Sequence, residues 1–439
     1  SSKPWHLNSY CANRPWMSGK TFGRSAACQS RRPLELKRPS TLLCVFVTLL
    51  NDRVSESLVF PLLPFLLASF TSSGTTLGLL AGSYALAQFI ATPLIGAFSD
   101  RFGRRPVIAT CVAGTVLGLG VFGLTLELPW PDGSLWPLLL LFAGRLLDGF
   151  SGGTAATAGA VLADISTPEN RAKAFGLIGV AFGLGFILGP AFAGILSQWS
   201  VTLPVWIALL IAVVNLLLVL RLLPETHPLD QRQPLPRKRA LNPFTQLSGV
   251  FSNPRVSRLC LGFFLFFLAF NGFTAVLVLF FKQKFGWGPG PATTAFLIVG
   301  VVATVVQGGL IGPLVKRFGE QRLTLVGLGL VLVGCLMIPL APVDRSQSVV
   351  FPAVALLAFG TGLVTPSLRS LVSRRLSSGG QGAALGSLQG LQSLGSFLGP
   401  PLMGLSYELV GHSSPFLLAA AFLIGVAALS ANGSFKQAG

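Results

Sequence analysis

Five charged residues stand beside or within stretches that are otherwise apolar. Asp52, Arg53 and Glu56 follow the run Thr41–Leu50, and Arg145 and Asp148 follow Leu138–Ala143. A charge at the centre of a bilayer costs at least a few kcal/mol, so such residues are usually kept for binding protons, ions or charged solutes. Asp52 and Glu56 lie four residues apart and share one helix face, so both can point into one cavity. Counting from Thr41 at about 1.5 Å per residue, Asp52 lies roughly 16 Å deep, and Arg145 and Asp148 reach a similar level from the opposite side. Three acids against two arginines leave one carboxylate without a cationic partner, a group suited to taking up a proton or a cationic solute. Asp52 is the first candidate for that role and Glu56 the second. The alternative is a purely structural set of ion pairs, in which Arg145 ties helices together. Later in the chain the apolar segments offer only neutral polarity, chiefly Asn271 and Gln307, with Gln389 and Gln392. The nearby phenylalanines, such as Phe266, Phe270 and Phe273, suit an apolar or aromatic compound or else face lipid.

Soluble chemistry finds no support. The histidines His6, His227 and His412 fall in tails or loops, and the six cysteines show no paired spacing. There is no Gly-rich phosphate loop ending in Lys-Ser/Thr and no HExxH or CxxC pair, so neither an enzyme, a metal site, a cofactor nor an ATP motor is expected.

The elements that must position these charges are long apolar helices. Half of the 439 residues are hydrophobic and a tenth are charged, far below the quarter usual in globular chains. Twelve spans near the roughly 20 residues needed to cross a bilayer can be drawn. They lie at about 41–68, 76–98, 106–127, 137–164, 172–198, 203–223, 256–282, 291–315, 322–342, 349–374, 381–407 and 415–432. The expected class is an all-α integral membrane protein. Its organisation would be a basic tail (1–40), a six-helix half (41–223), a linker rich in Pro, Arg and Gln (224–255), a second six-helix half (256–432) and a short tail (433–439). The first tail has a transit-peptide composition, but it is equally compatible with a start upstream of Met17 or with a plain disordered tail.

A net charge of +18 would suggest nucleic acid in a soluble protein, but its placement here points to membrane topology. Alternate connections hold Arg101, Arg104 and Arg105; Arg171 and Lys173; Arg237, Lys238 and Arg239; Lys316, Arg317 and Arg322; and Arg374 and Arg375. The others hold only Lys282, Lys284 and Arg345. By the positive-inside rule the first set and both termini are cytoplasmic, which predicts a multi-pass protein of the cell membrane with lipid, and not nucleic acid, around it.

The halves repeat each other. Gly96-Ala-Phe-Ser-Asp100-Arg101-Phe102-Gly103-Arg104-Arg105 follows the second span, and Gly312 to Arg322 follows the eighth at the equivalent place. The fifth span carries Gly176, Gly185, Gly189-Pro190 and Gly194, and the eleventh carries Gly386, Gly395, Gly399-Pro400 and Gly404 at identical spacings. Small residues at such spacing let helices approach closely, and Pro190 removes one backbone hydrogen bond.

The run from Gly96 to Arg105 resembles the signature loop between helices two and three of the major facilitator superfamily. Leu-Asn-Asp52, Phe-Pro61-Leu-Leu-Pro64, Ala163-Asp164 through Arg171, Leu223-Pro-Glu225-Thr-His and Ala240-Leu-Asn242-Pro243 resemble tetracycline-type drug/proton antiporters. The fifth-span glycines are similar to the antiporter motif of that group, departing at Ala193. This resemblance implies two pseudo-symmetric six-helix halves, alternating access, and helices one and four beside a central cavity. It implies a cytoplasmic gate at Gly96, Asp100, Arg101, Gly103, Arg104 and Arg105, with Asp100 meeting the start of the eleventh span near Gly380–Gly382 when that side closes. The expected activity is export, by a monomer, of a hydrophobic or cationic compound against protons. A facilitator or symporter of an endogenous metabolite, or a non-transporting sensor or assembly factor, are the alternatives. The third and ninth spans, acidic in the tetracycline pumps, lack an acid here before Glu127, which argues against tetracycline as substrate.

The repeat places Lys316 where the first half has Asp100, and an ammonium is repelled by the positive end of a helix. Lys316→Ala should therefore impair transport less than Asp100→Ala at equal expression. The reverse order in a transport assay would show that the two loops do not differ in this way.

Overall fold

In hydrocarbon every backbone N–H and C=O must be paired within its own segment, and the apolar stretches of this chain are accordingly helical. The computed structural model describes residues 39–131, 133–166, 171–232, 234, 242, 254–376 and 381–431. Among these there are twelve helical spans and no strand. The first half holds α1 (Pro39–Val59, continued by tight turns to Ser69), α2 (Gly74–Phe102), α3 (Arg104–Glu127), α4 (Trp136–Ser151 and Thr154–Ile165), α5 (Arg171–Leu196) and α6 (Leu203–Leu222). The second holds α7 (Pro254–Phe285), α8 (Pro289–Val305, a π turn at Val306–Leu310, then Ile311–Phe318), α9 (Glu320–Leu340), α10 (Ser346–Leu376), α11 (Gln381–Leu409) and α12 (Ser414–Ala431). Of these, α2, α3 and α6 to α10 are long and apolar enough on their own to cross a membrane. The remainder of 1–40, the tail 433–439 and most of the linker lie outside the described residues.

Two expected continuous helices are interrupted, each for a local reason. The fourth span breaks at Gly152–Gly153, where α2 crowds it: a Cβ on Gly153 would stand 2.8 Å from that of Ile95. Gln88 of α2 donates its side-chain amide to the Gly152 carbonyl at 3.2 Å, satisfying a group freed by the break. In the first span, α-helix gives way to tighter turns after Val59, where Pro61 and Pro64 supply no N–H.

Small residues set the distances between helices. α5 lies against α1 because Gly185 and Gly189 have no side chain: a Cβ on Gly189 would be 2.6 Å from the Ser57 Cβ. Ser57 fills the gap by donating to the carbonyls of Gly185 and Arg53, at 2.7 Å each. α3 and α4 meet through Gly118 and Gly144, each facing the other's carbonyl at under 3 Å from its missing Cβ. The packing of Gly176 lies outside the described residues.

The halves touch at the end away from the basic loops. There Gly82 of α2 faces the Phe397 carbonyl of α11, with 2.7 Å left for a Cβ, and Gly194 of α5 faces Thr293 of α8. Thr304 of α8 reaches the Gly183 carbonyl of α5 near mid-depth. Toward the basic end this contact stops. Gln307, Gly308, Gly309 and Leu310 are all exposed, and four consecutive residues cover every face of a helix, so α8 stands free there. A Cβ on Gly96 of α2 would likewise meet nothing within 4 Å.

Adding a methyl group where there is no room costs about 1–3 kcal/mol. Gly189→Ala should therefore lower the thermal midpoint in detergent clearly, whereas Gly425→Ala on α12, with open space around it, should leave it unchanged. Equal midpoints for the two variants would refute the close α1–α5 contact.

Candidate functional site

The five charged residues gather in the first half, from two helices. α1 supplies Asp52, Arg53 and Glu56 within one turn, and α4 supplies Arg145 and Asp148. Arg53 donates to Asp52 Oδ2 at 2.6 Å and also pairs with Glu56. Arg145 stands 3.9 Å from Asp148 Oδ2, a looser pair. The helix-one acids are thus matched mainly by the arginine between them, and Arg145 does not serve them both.

Neighbouring helices hold this set in place. Asp52, Ser55, Glu56 and Val59 of α1, Tyr84 of α2, Thr115 and Leu119 of α3, and Arg145 and Asp148 of α4 line one pocket. The Tyr84 ring lies under the Arg145 guanidinium, 4.9 Å from its centroid, so the cation is stabilised by the π face as well as by Asp148. Thr115 lines the pocket with Asp148. Gly149 lets α4 press on α2 beside Tyr84, and the Gly118–Gly144 contact brings α3 against Asp148. Arg53, Arg145 and Asp148 are buried, while a third of the Glu56 side chain is open. The Arg145 Nε is buried without a hydrogen-bond partner. Formal charges leave the pocket one negative charge in excess, and its acids can accept a proton or a cation.

The neutral candidates of the second half are not brought to this pocket. Asn271 donates to the Phe267 carbonyl of its own helix at 2.9 Å, and Gln307 is exposed on the free part of α8. The second half instead forms an apolar pocket from Phe270, Phe273, Thr274 and Leu277 of α7, Ala295, Phe296 and Val299 of α8, and Val354, Leu357 and Ala358 of α10. Phe296 meets Phe60 of the first half edge-on, 6.0 Å between centroids. Residues missed in the sequence are Tyr84 and Thr115. Tyr84 left a faint signal, as one of only three tyrosines in the chain and a polar group within an apolar span.

At the basic end, Arg104 organises the loop between α2 and α3. Its guanidinium donates to Asp100 Oδ1 at 2.6 Å, Ser99 Oγ at 2.7 Å and Asp164 Oδ2 of α4 at 3.1 Å. Gly103 turns the chain with φ of +104°, which a side chain resists, and Gly319 at the equivalent turn has φ of +77°. Glu225, just beyond α6, accepts from the backbone N–H of Arg104 at 2.9 Å and of Arg105 at 3.3 Å, capping the start of α3. Arg105 donates to the Leu220 carbonyl. Arg101 lies over the Phe102 ring. Asp100 is thus engaged by Arg104. Residues 377–380 and the side chains of 381–387, which it was expected to meet, lie outside the described residues.

A model of the Major Facilitator Superfamily matches residues 41–400. The chain belongs to that superfamily. It is 33% identical over 375 residues to the class C tetracycline resistance protein of Escherichia coli, covering 85% of this chain and 91% of that one. It is 28% identical to multidrug resistance protein 2 of Bacillus subtilis, over 87% and 92% of the two chains. The crystal structure of the human organic anion transporter MFSD10 superposes with a TM-score of 0.68 at 28% identity, over 90% of this chain and all of that one. This major facilitator protein is a multi-pass membrane transporter of small molecules, similar to tetracycline-type efflux proteins, and not an enzyme.

Arg104 serves three acceptors with a planar fork that a lysine cannot reproduce. Arg104→Lys should lose about 1–3 kcal/mol of stability, nearly as much as Arg104→Ala, because charge-assisted bonds go unmade. A lysine variant with the wild-type thermal midpoint would show that a point charge suffices.

Proposed function

We propose that this transporter exports a hydrophobic, cationic small molecule across the plasma membrane in exchange for protons. The observation that carries the reading is the excess negative charge of a cluster in which Asp52, Glu56, Asp148 and Arg145 line one pocket and Arg53 pairs with the first two acids. A proton and a cationic solute can each cancel that excess, but not both at once, and this competition links the two fluxes. Asp52 is the first candidate for the coupling acid and Glu56 the second, with Asp148 in the same pocket beside them. The apolar pocket of Phe270, Phe273 and Phe296 suits the hydrophobic part of the solute. The names of the tetracycline and multidrug resistance relatives accord with export.

In this reading both termini and the basic loops are cytoplasmic, the protein acts as a monomer, and the free basic ends of α2 and α8 correspond to a cavity open to the cytoplasm. The gate would be Gly96, Asp100, Arg101, Gly103, Arg104 and Arg105, with Asp100 exchanging Arg104 for the start of α11 when that side closes. The antiporter-type glycines Gly176, Gly185, Gly189 and Gly194, with Pro190, would keep α5 close to α1 and α8 and so limit leakage.

One observation favours a second reading, transport of an organic anion. The Arg145 Nε is buried without a partner, its pair with Asp148 is loose, and the MFSD10 relative is described as an organic anion transporter.

Proteoliposomes carrying a pH gradient separate these possibilities. With ethidium as the cation, Asp52→Asn should abolish proton-driven accumulation, by at least about tenfold, while sparing counterflow exchange, and Glu56→Gln should do so only in part. If Asp52→Asn, Glu56→Gln and Asp148→Asn all keep a wild-type gradient, the coupling assignment fails. Selective uptake of a lipophilic carboxylate, lost in Arg145→Met, would replace the cation reading by the anion one.

A further inference from the structure

At the end away from the basic loops, a carboxylate of the second half caps a helix of the first. Glu408, the penultimate residue of α11, accepts from the Thr75 N–H at 3.3 Å and from the Thr75 hydroxyl. α2 begins at Gly74, with Ser73 as its cap accepting from the Thr76 N–H at 3.0 Å. The first N–H groups of a helix have no acceptor within the helix and carry its partial positive charge, so an acid from outside is favoured there.

The contact has no slack behind it. A Cβ on Gly74 would stand 3.2 Å from the Tyr407 ring, one on Gly404 would collide with the backbone of Gly74, and one on Gly78 with that of Pro400. The next residue is fixed as well: the Tyr407 hydroxyl donates to Gln283 of α7 at 2.5 Å, tying the end of α11 to its own half. Helix backbones in direct contact cannot separate at this end without drawing Glu408 off Thr75.

The repeat shows that this cap is not a by-product of close packing. The alignment that sets Gly194 against Gly404 sets Gln198 against Glu408, and the one that sets Gly96 against Gly312 sets Pro289-Gly290-Pro291 against Ser73-Gly74-Thr75. The equivalent corner, between α5 and α8, therefore offers a neutral amide to two prolines that have no N–H to donate. It is closed by Gly194 against Thr293, with no charge involved. The carboxylate is present only at the corner where its donors are.

We infer that Glu408 is the latch of the end remote from the basic loops: its hold on the start of α2 keeps that end shut, and the cavity opens there only when Thr75 is released. α2 and α11 run antiparallel, so the acid closing each helix lies beside the start of the other, and Glu408 does at this end what the resemblance implies for Asp100 at the basic end. The inference does not depend on which solute is carried or on proton coupling.

The test is a distance measurement in the full-length chain in lipid nanodiscs, with its six cysteines replaced and spin labels at Leu135→Cys and Arg345→Cys. These two sites are exposed in loops of the two halves other than those that carry the latch. Without substrate, Glu408→Gln and Thr75→Val should each raise the ratio of long to short distances about fivefold, and Glu408→Asp should raise it less. Glu127→Gln, an acid at the same end that accepts from Trp206 within the first half, should leave the ratio as in the wild type. The inference is overturned if Glu408→Gln and Thr75→Val both keep the wild-type distribution, or if Glu127→Gln shifts it as far as they do. Should Glu408→Gln fail to fold, Thr75→Val, which keeps the side-chain volume and removes only the hydroxyl, decides the matter.

Discussion

An arginine cannot shed its proton to enter a membrane, so the surroundings of Arg53 must be built to its charge. Asp52 beside it and Glu56 one turn later meet that need from the same helix. Much of the first half follows from this small cluster. α5 can cover the buried arginine only because Gly185 lies against its Cβ, and Ser57 then secures the two helices through backbone carbonyls. Opposite, the second charged pair needs its own shielding, and Tyr84 and Thr115 provide it from α2 and α3. Buried charge is costly in a helix bundle, and here Glu56 is the more exposed of the helix-one acids, with a third of its side chain open.

The same physics, an acid at the positive end of a helix, joins helices at two corners of this protein. Glu225 caps α3 from beyond α6, so the first half closes on itself at the basic end. Glu408 caps α2 from α11, so the two halves close on each other at the opposite end. The first joins segments of one half, while the second crosses between the halves. Both carboxylates are exposed; Glu225 receives the backbone amides of Arg104 and Arg105, and Glu408 receives the backbone amide and the hydroxyl of Thr75.

The two halves are repeats in sequence but not in chemistry. Gly103 and Gly319 adopt the same unusual backbone, and the glycines of α5 and α11 keep one spacing. Yet buried charge lies in the first half, and the second presents stacked and edge-on phenylalanines such as Phe266, Phe270 and Phe273.

The number and position of the spans and the charged residues of α1 and α4 were legible in the sequence. The reason is that crossing a bilayer imposes a local requirement, about 20 apolar residues in a row, and makes any charge within them conspicuous. Even so, the break at Gly152–Gly153 escaped notice, because it answers to Ile95 and Gln88 on another helix. Which charges pair, and that Tyr84, Thr115, Glu225 and Glu408 matter, was decided by the tertiary structure alone. Helices that are apolar all round carry no periodic stripe to announce their inward face, so the sequence does not say which side chains will meet. The surroundings of Asn271 and Gln307 were likewise set by the packed bundle, which pairs the first with its own helix backbone and leaves the second exposed on α8.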